Sequence, residues 1–146
     1  MFAINVKSMF LVTKAVLPHM LGSGRGGSIV CTSSISAELA TAGEVLYDAT
    51  KGACHMFARA IAVEFRDRGI RCNAVCPGFI NTPHGRSEQA SLVRLGVDVS
   101  ESGIKAAQGR WCEPDEVAKA ALFLLSDDAS FVSGARLFVD NCFSSV

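Results

Sequence analysis

Tyr47 and Lys51 stand four residues apart, a spacing that puts both side chains on one face of a helix. A free phenol ionises near pH ~10 and is a poor base at neutral pH, but a fixed ammonium beside it favours the phenolate. A tyrosine tuned in this way exchanges a proton with the oxygen of an alcohol or a ketone. Taken alone, the pair fits an ordinary exposed helix pair better than a catalytic one. Ser33 and Ser34 add the context: they directly follow a β-branched run at residues 28–32, at the C-terminal end of a strand, where open α/β sheets bind ligands. Ser34 lies thirteen residues before Tyr47.

The elements that must position these residues alternate. Phe2, Val6, Met9, Phe10, Thr13, Leu17 and Leu21 recur at helical spacing and predict an amphipathic first helix with that stripe inward. Glycines at 22–27 break it before the strand at 28–32. A second helix is expected from about 47 to 66, with Ala49, Ala53, Phe57, Ala60, Ile61 and Phe65 inward and Gly69 as its stop. Residues 70–75 read as the next strand, ended by the Pro77-Gly78 turn. Residues 83–109 are polar and read as irregular with one short helix, a length of connection that suits a lid or binding segment. Pro114, with Asp115 and Glu116 behind it, opens a last helix to about 125, and residues 135–139 form a final strand. This grammar belongs to an α/β parallel sheet with right-handed crossovers.

Gly22, Gly24 and Gly27 match the G-x-G-x-x-G pattern, but a dinucleotide loop needs a strand before it and a helix after it. Here the order is reversed, so the glycines are read as a helix-to-strand connection. Lys plus Arg and Asp plus Glu number 14 each, which argues against a nucleic-acid surface. Asn5, Lys7, Ser8, Lys14 and His19 interrupt the apolar N-terminal stretch, so no membrane span is expected, and the expected location is cytoplasmic. The six cysteines show no C-x-x-C spacing and are expected as reduced, mostly buried thiols; His19, His55 and His84 lack metal-ligand spacing, so no metal site is expected. Trp111 and the segment from His84 to Gly109 are candidates for shaping substrate access.

The run Ser28-Ile29-Val30-Cys31-Thr32-Ser33-Ser34 followed by Tyr47-x-x-x-Lys51 resembles the active-site segment of short-chain dehydrogenases/reductases, and the spacing selects Ser34 over Ser33. Asn5, in Asn5-Val6-Lys7-Ser8-Met9-Phe10, is similar to that family's fourth active-site residue. Residues 71–78 resemble the strand and Pro-Gly turn that wall the nicotinamide pocket, and residues 113–117 and 123–134 continue the likeness. The resemblance implies a partial doubly wound, Rossmann-like parallel sheet comprising the strand 5-6-7 side, with the whole of 1–146 as the C-terminal portion of one domain. It implies that an alcohol/ketone oxidoreductase uses NAD or NADP, with Tyr47 as proton donor or acceptor and Lys51 lowering its pKa and binding the nicotinamide ribose. Ser34 would hold the substrate oxygen, and Asn5 a water leading to Lys51. Pro77, Gly78, Ile80 and Thr82 would join Tyr47 and Lys51 in cofactor binding. A homo-oligomer is expected if the complete fold forms.

Two departures accompany the likeness. The family's opening strand and Gly-rich turn are not found in this sequence, so a truncated product or fragment is expected, with an open edge on the first strand. Val139-Asp140-Asn141-Cys142 stands where the family usually carries glycines, which questions the packing of the last strand. The competing reading is an inactive interaction module that pairs through its first two helices with a full-length relative.

Overall fold

A computed structural model describes residues 1–145. Three parallel strands, β1 (Gly27–Thr32), β2 (Ile70–Pro77) and β3 (Arg136–Val139), lie in that order, with β2 in the centre. The helices are α1 (Ser8–Ser23), α2 (Val45–Phe65), α3 (Pro83–Arg94), α4 (Glu101–Gln108) and α5 (Pro114–Leu125). The register runs Gly27 to Ile70 through Thr32 to Val75, and Ala74 to Arg136 through Pro77 to Val139. The partial doubly wound sheet expected from the sequence is therefore present, and β1 has one open edge among the described residues.

β2 is central because its side chains are buried on both faces: Cys72, Asn73, Ala74 and Cys76 are each 0% exposed. Cys31, Cys72, Ala74 and Cys76 form one core with Ala58, Ile61 and Ala62 of α2. Five of the six cysteines are buried and all are free, in line with the expectation of small apolar thiols. His55 packs in the same layer, with Nε2 3.0 Å from the Cys76 Sγ. Asn73 fixes β3 beside β2, donating to the Val132 carbonyl at 2.8 Å and accepting from the Ala135 amide at 2.9 Å. Arg71 gathers the carbonyls of Leu124 and Ser126 where α5 ends, at 2.8 and 2.9 Å. At the other end of α5, Glu113 and Glu116 close a capping box ahead of Pro114.

The glycine-rich break joins a helix to a strand, as read. Gly24 caps α1 at φ 65°, and Gly26, at φ 76°, lies against the backbone of Gly69, which is itself left-handed at the end of the α2 crossover. A Cβ on Gly26 would collide with the Gly69 carbonyl, so the two connections touch backbone to backbone.

Three expectations are corrected. Residues 83–109 are not irregular with one short helix: Thr82 and Ser100 each accept a backbone N–H three residues on and start α3 and α4. The inward stripe of α2 holds only in part: Ile61 is buried as expected, but Ala49 and Ala60 are exposed while Thr50, Cys54, His55, Ala58 and Ala62 are buried instead. Phe57 and Phe65 pack half-buried against the core and also border a hollow shared with Phe10 and Leu17 of α1. The helix at the N-terminus opens with a π-helical turn over Ala3–Lys7; of its expected stripe Thr13 is buried and Met9 and Leu17 pack half-buried against the core, but Phe2 and Phe10 are 48% and 52% exposed. No described helix is long and apolar enough to cross a membrane.

The last strand packs in spite of its unusual ending. Asn141 and Cys142 take the left-handed conformation at φ 46° and 70°, so the backbone adopts a glycine-type path without glycine. Asn141 secures it by donating from Nδ2 to the Gln108 carbonyl at 2.8 Å.

Candidate active site

Parallel strands deliver their C-terminal ends to one side of the sheet, and the residues singled out by type and spacing collect there. Ser33 and Ser34 leave β1 in opposite senses. Ser33 is 3% exposed, donates its backbone N–H to the Val75 carbonyl at 2.8 Å and its hydroxyl to the Lys51 carbonyl at 3.0 Å, which ties β1 to β2 and to α2. Ser34 caps a short 3-10 turn, accepting from the Ser36 amide at 3.1 Å, and lines a cavity of about 300 Å³ together with Tyr47 and Gly78. The geometry thus separates a structural serine from a cavity-lining one.

Lys51 sits one turn along α2 from Tyr47, with Nζ 3.1 Å from the Thr32 carbonyl, to which it donates, and 5.4 Å from the Tyr47 ring centre. Asn5 lines a hollow along the open edge of β1 that Lys51 also reaches. Its amide donates to the Thr50 hydroxyl at 2.9 Å, and that hydroxyl donates to the Tyr47 carbonyl at 2.8 Å. Asn5 therefore braces the first turn of α2. Its backbone carbonyl lies 3.5 Å from the Cys54 thiol.

The structure places the Pro77-Gly78 turn beside this cavity and moves Ile80 and Thr82 away from it. Gly78 donates to the Val139 carbonyl at 3.2 Å, and Ile80 bridges Cys112. Thr82 spends its hydroxyl on the Gly85 amide, 3.0 Å away. Gln108, unremarked in the sequence, is 1% exposed and clamps the turn: Oε1 accepts from the Phe79 amide at 2.8 Å, and Nε2 donates to the carbonyls of Phe79 and Arg110. Trp111 is buried and meets Phe79 edge-on at 5.9 Å, while Arg86 stacks on it at 3.8 Å. Residues 84–109 do wall the cavity, through Glu88, Val97, Asp98 and Val99, with Trp111 acting behind Phe79.

The electrostatics run against the sequence expectation for Tyr47. Burial first, and then the negative charges of Glu88 and Glu44, push its phenol up to about 12, with hydrogen bonding to Ser34 pulling the other way. Lys51 is lowered, chiefly by burial. Glu44 is raised to about 8, first by burial and then by hydrogen bonding and repulsion with Glu88. The three carboxyls of this cavity escape sequence reading because each sits in a polar stretch where an acid signals a solvated surface.

Residues 1–144 match the family model described as enoyl-(acyl carrier protein) reductase. The 2-(R)-hydroxypropyl-CoM dehydrogenase of Xanthobacter autotrophicus is 38% identical over 149 residues, covering 99% of this chain and 56% of that protein. The crystal structure of levodione reductase superposes with a TM-score of 0.88 at 32% identity, over 98% of this chain and 56% of that one. A gluconate 5-dehydrogenase from Burkholderia cenocepacia, in complex with NADP and tartrate, gives a TM-score of 0.82 at 33% identity, over 99% and 55%. The chain spans about half the length of the relatives it matches.

Proposed function

The chain belongs to the short-chain dehydrogenase/reductase family, and on that premise we propose that it carries the catalytic portion of an NAD- or NADP-dependent oxidoreductase interconverting a secondary alcohol and a ketone. The observation that carries this reading is that Ser34 and Tyr47 share one cavity at the C-terminal end of β1, with Lys51 one helical turn away. Ser34 hydrogen-bonds the substrate oxygen, and the Tyr47 hydroxyl gives that oxygen a proton in reduction or takes one in oxidation. With its phenol held near pH 12, Tyr47 carries its proton at neutral pH and is set to act as the acid of ketone reduction.

The residues present fit a nicotinamide cofactor. Lys51 uses one donor on Thr32 and keeps two, and Gly78 leaves no room for a side chain beside Gln108 and Asp140, which keeps the turn flat against the cavity. Tyr47, Lys51, Pro77, Gly78, Ile80 and Thr82 would hold NAD or NADP, whose chemistry is to accept or supply hydride. Asn5 contributes by bracing Thr50 and through it the turn that carries Tyr47.

The test is to titrate the chain with NADH and NADPH separately, following nicotinamide fluorescence, and then to assay reduction of small ketones. Saturable binding weakened at least tenfold by Lys51→Ala, and turnover lowered about 10²–10⁴-fold by Tyr47→Phe, are expected. Alcohol oxidation should rise about tenfold per pH unit across pH 6–9 while ketone reduction stays flat. Cofactor binding indifferent to Lys51→Ala would refute the assignment.

A second reading is favoured by one observation: Ile4, Phe10, Leu11 and Val12 at the N-terminal helix and Met56 and Val63 on α2 are exposed apolar residues. Under it the first two helices pair with a full-length relative and the chain is inactive. Association unaffected by Lys51→Ala, in a chain that binds neither cofactor, would favour it.

A further inference from the structure

The cavity beside Ser34 and Tyr47 is lined by acids and by no base among the described residues. Glu44 comes from the segment before α2, Glu88 from α3 and Asp98 from the loop between α3 and α4, and all three line it. No lysine, arginine or histidine does so among the described residues. Of the nearby cations, Arg86 is held on Glu101 and over Trp111 and Arg136 on Glu38, while Lys51 donates to the Thr32 carbonyl and does not line the cavity. The rest of the wall is apolar, supplied by Leu39, Val97, Val99 and Phe143 among others.

We propose that this wall sets the substrate class: a small secondary alcohol or ketone that bears a hydroxyl or ammonium donor on the side away from the reacting carbon, with hydroxycarboxylates, phosphates and sulfonates excluded. The inference rests on the reading of Tyr47 and Ser34 as the reacting end of the cavity. A carboxyl wall accepts hydrogen bonds from such donors and, in a partly dehydrated cavity, repels an anion that has no cation to meet it. Selectivity then comes as much from what is rejected as from what is held. Glu88 is the central element, because it reaches the cavity from α3 and lines it together with Glu44 and Tyr47.

Three probes of one ring size isolate the charge: trans-4-aminocyclohexanol, trans-1,4-cyclohexanediol and 4-hydroxycyclohexanecarboxylate. Their binding to the full chain is measured by NMR titration near neutral pH, in the unsubstituted protein and in Glu88→Gln and Asp98→Asn. Asp98 lies in a loop, and its Oδ1 accepts from the Ser100 hydroxyl at 3.0 Å, a bond that the carboxamide oxygen in Asp98→Asn can keep. The amine and the diol should bind at least about tenfold more tightly than the carboxylate, and each variant should shrink that ratio at least about threefold. Carboxylate binding within about threefold of the other two, an order unchanged in both variants, or no binding of any probe would overturn the proposal. Tyr47→Phe separates the two layers: it should abolish turnover and leave the order of binding intact. The expected order with no NAD(P)-linked turnover in the unsubstituted chain would support the wall and count against the oxidoreductase reading beneath it.

Discussion

Gly78→Ala tests the architecture of the site more sharply than any catalytic substitution. A Cβ at position 78 would fall inside contact distance of the Gln108 Oε1 and lie 3.2 Å from the Asp140 Cβ, so Gln108 must leave its place. In doing so it gives up three hydrogen bonds to the backbone of Phe79 and Arg110, in a site where it is 1% exposed. At about 1 kcal/mol net per bond the expected loss is about 3 kcal/mol. For a chain of this size that lowers the unfolding midpoint by roughly 6–12 °C. The φ of Gly78 is not left-handed, so the cost is one of collision and not of backbone preference. Thermal and urea unfolding followed by circular dichroism measure it, with Gly52→Ala as the control. Nothing lies within 4 Å of a Cβ at position 52 inside α2, and the change there should stabilise by about 0.5–1 kcal/mol. The decisive step is the cycle with Gln108→Ala: once the glutamine is gone, Gly78→Ala should cost at least about 2 kcal/mol less than in the parent. Equal costs in the two backgrounds would refute the clamp.

Other predictions concern charge and backbone strain. Glu44 binds its proton more tightly folded than unfolded, so its contribution to stability is full below about pH 4.5 and is lost as pH rises through about 8. Glu44→Gln should therefore flatten the fall in stability between pH 5 and 9 and, discounted for its partial exposure, add about 1–2 kcal/mol at pH 9; an unchanged slope in pH-dependent melts would contradict it. Cys142→Gly removes a left-handed cysteine and should stabilise by about 0.5–1 kcal/mol, read by urea unfolding, after the entropy glycine brings to the unfolded chain. A destabilised variant would show that Cys142 makes contacts that outweigh its strain.

Where period and punctuation coincide, the elements were legible from residue types. Pro114 followed by two acids marked α5 to the residue, and Ile70 through Val75 marked the body of the central strand. The α2 stripe was legible only in part: Ile61 sits in the core, but the sheet of small cysteines and alanines takes the small Ala58 and Ala62 directly beneath it and leaves Phe57 and Phe65 half-buried at its margin. The helices α3 and α4 hid in a polar stretch because they bury few side chains, and their starts depend on single hydroxyls, Thr82 and Ser100. In the cavity, Ser34 and Tyr47 were readable by spacing, and the structure brings them to one wall. Ile80 and Thr82 were placed by likeness to a motif, and they lie outside that cavity, committed to a bridge and a helix cap. The acids could not be found in the same way, because Glu44, Glu88 and Asp98 meet only through tertiary structure across residues 44–98.

The contact between Gly26 and Gly69 divides the two ends of the sheet by their freedom to change. At that end the connections into β1 and β2 are sealed together, and Gly26 admits not even a methyl group where they touch, so a bulkier residue there would push the two connections apart at the start of the β1–β2 register. At the opposite end the chain makes wide excursions after β1 and β2 that can be lengthened or recoloured without reaching the strand pairing. A lineage exploring new substrates could thus rewrite that rim around the fixed points of Ser34 and the Gly78 turn, while the other works as a rivet between the two connections.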